Sequence, residues 1–125
     1  IKLPPNPYKN PSKSHGIALN WVYKNIIKKY EPHFFGFLDH DIFPYKETFV
    51  IPDIQNNVFG LIQERENKWY LWAGFCFYNF KNLKNINMNF LPSKGLDTGG
   101  SNYYILYKDI NKNNFKKLPQ IQLQP

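Results

Sequence analysis

An α/β fold with a mixed sheet is the architecture this sequence predicts, and three observations predict it. A helix-period stretch from Gly16 to Tyr30 is followed shortly by a continuous apolar run, Phe34 to Leu38. Farther on, Val58 to Glu64 and Trp69 to Phe80 carry the aromatic and β-branched residues of strands. The chain has 125 residues, 42% hydrophobic and 18% aromatic, which is material for one core and one domain spanning residues 1–125.

Residues 1–14 are rich in Pro, Asn, Lys and Ser and read as an extended loop, with Pro4, Pro5, Pro7 and Pro11 excluding a helix. In the next segment Leu19, Val22, Tyr23, Ile26, Ile27 and Tyr30 recur at three- and four-residue spacing, an amphipathic helix. Ser14 is its expected cap, Lys28 and Lys29 suit its C-terminal end, and Pro32 stops it. Phe34-Phe35-Gly36-Phe37-Leu38 is too short for a helix and reads as a strand buried on both faces. A second apolar stretch runs from Thr48 to Ile51. Arg65-Glu66-Asn67 is a hairpin turn between two strands, the second interrupted at Ala73-Gly74. Residues 82–89 read as exposed, 95–100 as a tight loop, 102–107 as the start of a helix or a strand, and 108–125 as a polar tail.

Net charge is +7, which raises nucleic acid, anionic membranes and phosphorylated ligands as partner classes. Arg65 is the only arginine and the lysines form no long run, so a base-reading groove is not expected and no nucleic-acid partner is assigned. Peripheral association with a membrane remains an expectation, as does pairing with another chain through an open sheet edge. Cys76 is the single cysteine, which excludes an internal disulfide and a cysteine-based zinc site; between Phe75 and Phe77 it reads as a small buried hydrophobe. No apolar stretch approaches a membrane span, and a cytoplasmic setting is the default. The chain opens at Ile1 without methionine, so it is expected to be a piece of a longer protein.

The chemistry concentrates in Leu38-Asp39-His40-Asp41. In an extended segment, side chains two apart point the same way, so Asp39 and Asp41 would share one hard cation. Mg²⁺ and Mn²⁺ prefer oxygen ligands and commonly complete their shell with nucleotide phosphates. The carboxyl end of a strand in an α/β sheet is also where ligands bind. The alternative is that both aspartates cap a turn before Pro44.

The ordered set Ser14-His15-Gly16-Ile17-Ala18-Leu19-Asn20, a helix, a buried strand and Asp39-His40-Asp41 resembles the donor-site segment of GT-A-fold glycosyltransferases. The resemblance implies a GT-A-like, partial Rossmann-like core that moves a sugar from a nucleotide-diphosphate donor to a glycan, lipid or protein hydroxyl. It implies that Asp39 lies near the donor ribose or metal and that Asp41 ligates the Mn²⁺ or Mg²⁺ bridging the diphosphate. His15, Gly16 and Asn20 would belong to the substrate site. Trp72-Ala73-Gly74-Phe75 and Leu96-Asp97-Thr98-Gly99-Gly100 look like its acceptor-side segments, placing Trp72 and Gly74 at substrate and making Asp97 the base of an inverting reaction. The fold normally has a strand-helix-strand unit before the first helix, where only residues 1–14 stand here. A truncated core is therefore expected.

Blander readings stand beside these. Asp97 opens an Asx turn in a Gly-rich loop; His15 and His40 are surface histidines; Trp69 and Trp72 pack the core; Glu64 and Glu66 solvate a turn; Asn20 hydrogen-bonds behind the site. Rival functions are a non-catalytic carbohydrate-binding module, whose aromatics stack on sugar, and a metal-dependent nuclease.

Overall fold

In the computed structural model, which describes residues 2–3, 5–47, 49–52, 56–115 and 117–118, the chain enters its long helix at Pro11. Asn10 is the cap: its side-chain oxygen accepts the Lys13 N–H at 3.0 Å, and Pro11 occupies the first helical position. Proline is suited to that place, since its missing N–H would have no helical partner there and its φ is preset. This corrects both the loop expected through residue 14 and the cap expected at Ser14. Helix α1 (Pro11–Val22) runs on through a π-helical segment, Tyr23–Ile27, and a last turn, Lys28–Tyr30. Glu31 closes it in the left-handed conformation, φ 44°, immediately before Pro32.

Strand β1 (Phe34–Leu38) follows, then β2 (Val58–Arg65) and β3 (Lys68–Asn79), in the order β1-β3-β2. Both pairings are antiparallel, so among the described residues the sheet is not mixed. The turn from β2 to β3 holds Glu66 and Asn67 at φ 52° and 57°, the geometry of a two-residue hairpin whose twist matches its strands. β3 runs continuously from Lys68 to Asn79, but its ladder with β2 breaks around the expected interruption: Leu71 pairs with Ile62 and Cys76 with Gly60, leaving Ala73-Gly74 without a partner on β2. β1, expected to be buried on both faces, is an edge strand: Phe35 is 8% exposed, but Phe34 is 45% and Leu38 59% exposed. Its apolar run reflects two unlike faces, one under the helix and one bare.

The core lies between the sheet and α1. Phe35, Val58, Cys76 and Tyr78 meet Leu19 and Tyr23 from the helix, with Phe80, Phe90 and Tyr107 closing the sides. Tyr23 stands near Phe35, Phe80 and Phe90, at ring separations of 5.8, 6.4 and 5.9 Å. Buried hydroxyls are satisfied: Tyr23 donates to the Ile86 carbonyl at 2.9 Å, and Tyr78 and Tyr107 share a bond of 2.7 Å. On the other face Phe59, Phe75 and Phe77 form a half-buried ring ladder. Residues 82–89 are less exposed than their composition implies, because Leu83 and Met88 turn inward from a short helical turn, Phe80–Leu83, and its exit.

Residues 102–107 resolve into a helical turn, Asn102–Ile105, leading to a 3₁₀ turn at Tyr107–Asp109. Of the apolar stretch at 48–51, Thr48 lies outside the described residues, and Phe49, Val50 and Ile51 are exposed outside any strand. Part of the polar tail, residues 116 and 119–125, likewise lies outside them, as do Ile1 and Pro4 of the expected N-terminal loop. Among the described residues no helix is long and apolar enough to cross a membrane.

Candidate functional site

β1 ends at Leu38, and the next amide, Asp39 N–H, donates to the Gly74 carbonyl at 2.9 Å. This bond carries the ladder one residue past the strand and seats the Asp39 side chain over Gly74. A Cβ placed on Gly74 would come 2.5 Å from Asp39 Oδ2 and 2.5 Å from Trp72 Cζ2. Asp39 and Trp72 thus share the space that any side chain at position 74 would take. Replacing Gly74 by Ala is expected to preserve the fold at a cost of about 1–3 kcal/mol while displacing the carboxylate or the indole. Nuclear magnetic resonance reads this: the Trp72 indole and Asp39 amide signals shift, and those of Trp69, against Tyr107 and Phe115, stay in place.

Asp41 is exposed and stands in a turn with Asp39, closed by the Ile42 N–H on the Asp39 carbonyl at 3.3 Å. The segment is therefore not extended, and the alternation expected to align the two aspartates does not apply. The turn places Asp39 and Asp41 within one short loop. His40 is exposed in the same turn. Among the described residues no three His, Cys, Asp or Glu side chains gather into a metal site.

Beyond Trp72 opens a cavity of about 270 Å³ lined by Pro11, Ser12, His15, Trp72, Ala73, Asp97 and Thr98. It forms where the first turns of α1 face β3 across the Leu96–Gly100 loop. That loop is shaped by Gly99, whose φ of 86° fits the third position of a turn closed by the Gly100 N–H on the Asp97 carbonyl at 2.8 Å. Asp97 is pinned there. Its amide donates to the Tyr70 hydroxyl at 2.8 Å, its Oδ1 accepts the Thr98 N–H at 2.7 Å, and its Oδ2 lies 3.7 Å from Arg65. The Thr98 hydroxyl donates to the Ser12 carbonyl at 2.9 Å and ties the loop to the helix.

Burial pushes the Asp97 carboxyl up, but donors from Ser12 and the Thr98 backbone, with Arg65 and Gln63, outweigh it and hold the carboxyl below its usual range. A carboxyl depressed on folding stabilises the fold at pH above its unfolded value, roughly 3.9, and that contribution is lost as pH falls through the folded value. Asp97→Asn is expected to shrink the loss of thermal stability on acidification below about pH 4. Melting temperatures of both proteins along an acid series check it.

His15, Trp72 and Asp97 therefore line one cavity, while Asp39 lies beside Gly74 and Trp72 without lining it. Gly16 and Asn20 serve it from behind. A Cβ on Gly16 would meet the Phe90 carbonyl oxygen at 2.6 Å, so this glycine lets α1 lie against the backbone at Phe90 and Leu91. The Asn20 side chain accepts the Phe90 N–H at 2.8 Å and donates to Asn89 at 2.9 Å. Neither residue lines the cavity. Trp69 packs against Tyr107 and Phe115, each at 5.2 Å, and is structural. Cys76 is fully buried, and desolvation pushes its thiol up to about 12, which removes it as a nucleophile.

Comparison with protein-family models, curated proteins and solved structures finds no match for this chain.

Sequence reasoning did not single out Ser12, Arg65 or Gln63 for the site, and named Thr98 only within the Leu96–Gly100 segment. They reach Asp97 from α1, β2 and its own loop, and no local pattern in the sequence links those segments.

Proposed function

We propose that this chain transfers a sugar from a nucleotide-diphosphate donor to a hydroxyl acceptor, using the core of a GT-A-like fold. The observation that carries the reading is the contact of Asp39 with Gly74 and Trp72 at the end of β1, with Trp72 also lining the cavity that holds His15 and Asp97. Residues far apart in the sequence, drawn from both the donor and the acceptor segments of the resemblance, lie around the Trp72 position.

Asp39 and Asp41 would hold Mn²⁺ or Mg²⁺. Two carboxylates in one turn suit a hard cation that draws its remaining ligands from substrate phosphates and water, rather than one held in a cage of protein groups. When bound, such a cation neutralises charge on the departing diphosphate. The chain's own groups do the remaining work. The Trp72 ring offers a flat face to a sugar, and the His15 imidazole adds a hydrogen-bonding group. Asp97 accepts from the acceptor hydroxyl and takes its proton.

Calorimetric titration of UDP and GDP, with and without Mn²⁺, tests the proposal on the parent and on Asp41→Ala. Asp41 is exposed, so its loss leaves the core intact. The expected result is metal-dependent nucleotide binding in the parent that disappears in the variant. Absence of binding by a folded parent, or equal binding by the variant, would sink it.

One observation favours a second reading, a sugar-binding module without turnover. Asp97 is held below its usual range by several donors, and a weakened base suits the acceptance of sugar hydroxyls better than the removal of their protons. Glycan binding unaffected by chelator and by nucleotide would select it.

A further inference from the structure

We propose that β1 pairs with β1 of a second copy, antiparallel about Gly36, to join two sheets into one. The hydrogen-bonding parity of the strand points to this. The Asp39 N–H and the His33 carbonyl both bond toward the β3 side, to the Gly74 carbonyl at 2.9 Å and the Lys81 N–H at 3.3 Å. In an antiparallel edge strand alternate residues face alternate sides, so the backbone groups of Phe35 and Phe37 also turn to β3. Those of Phe34, Gly36 and Leu38 point away, and among the described residues no strand pairs with β1 on that side.

The strand is complementary to its own reverse. An antiparallel copy centred on Gly36 sets Phe34 against Leu38, Phe35 against Phe37 and Gly36 against Gly36, apolar to apolar at every pair. The outward residues fall opposite outward residues, so each facing pair can exchange its N–H and C=O. Phe34 and Leu38, 45% and 59% exposed, would cover each other on the bare face, where the Phe77 ring already overlies Gly36. One step beyond the strand, the exposed His33 imidazole falls opposite the Asp39 carboxylate of the second copy, a complementary pair at each end.

The other edge is built differently. β2 carries a register shift between Gly60 and Ile62 and ends in exposed Glu64 and Arg65. Bulges and charges of that kind blunt an edge against pairing. β1 has no charge within its five residues and a continuous register with β3.

The pairing does not depend on sugar transfer, and its test is separate. Light scattering after gel filtration, over a dilution series, gives the mass of the parent and of the double variant Phe34→Lys, Leu38→Lys. Both positions are exposed, and circular dichroism checks that the variant folds. Hydrogen exchange is measured on the same samples. The expected result is a dimer of the parent that dissociates on dilution, a monomeric variant, and protection at the Phe34, Gly36 and Leu38 amides that fades with the dimer. A parent that stays monomeric overturns the proposal, as does a dimer that survives the double substitution or leaves those three amides unprotected.

Discussion

Between about pH 9 and 12 the protein is expected to lose stability, with Cys76 contributing to the slope. Cys76 is 0% exposed, and desolvation raises its thiol from 9.0 to about 12. Tyr78 and Tyr107 beside it are also raised, in each case chiefly by burial. For an acid raised on folding, the stabilisation is fully present below the unfolded value. It disappears as pH climbs toward the folded value, because the unfolded chain releases the proton first. Three units at about 1.4 kcal/mol each give roughly 4 kcal/mol for the thiol alone, against about 5–15 kcal/mol for a typical domain. Cys76→Ala should keep the fold at neutral pH and move the alkaline unfolding midpoint upward. Identical alkaline limbs for the two proteins would show that the thiol does not carry this effect. A thiol reagent added at neutral pH should react only once the protein is unfolded.

Tyr23→Ala is expected to cost about 3–5 kcal/mol, the range for removing a fully buried aromatic ring. Tyr23 is 1% exposed, sits among Phe35, Phe80 and Phe90, and fastens the Ile86 carbonyl. It thereby joins the helix, the sheet and the 86–91 segment in one contact. Tyr23→Phe keeps the ring and removes only the hydroxyl, with an expected cost of about 1 kcal/mol. Urea denaturation of the two variants separates packing from hydrogen bonding. A loss under about 1 kcal/mol for Tyr23→Ala would contradict the central place given to this ring.

How far the sequence speaks depends on the range of the interaction that decides each feature. The helix through Tyr30, its stop before Pro32 and the hairpin at Glu66-Asn67 were legible because periodicity, a proline and two turn residues decide them within a few positions. The start of α1 was misplaced. Proline forbids a helix interior and favours its first position, and only the Asn10 cap tells which applies. The status of β1 was misjudged for a related reason: a short apolar run looks alike in a central strand and in an edge strand with one bare face.

The site divides along the same line. Asp39, Trp72, Gly74, His15 and Asp97 were named from residue type and local order; His15, Trp72 and Asp97 line one cavity, and Asp39 lies beside Gly74 and Trp72. Their assembly depends on contacts across the chain: Asp39 N–H on Gly74, and Thr98 on Ser12. Gly16 and Asn20 belonged to the same ordered set, yet they fasten α1 to the segment at Phe90 instead of lining the cavity.

By itself the sequence determined which residues could bear chemistry, a mixture of helix and strand, and one aromatic core, because composition, periodicity and turn residues act locally. Only the tertiary structure decided that the sheet is antiparallel, that β1 lies at its edge, and which polar groups surround Asp97. Those outcomes rest on backbone pairing and burial between distant segments, whose free energies no stretch of the chain contains alone.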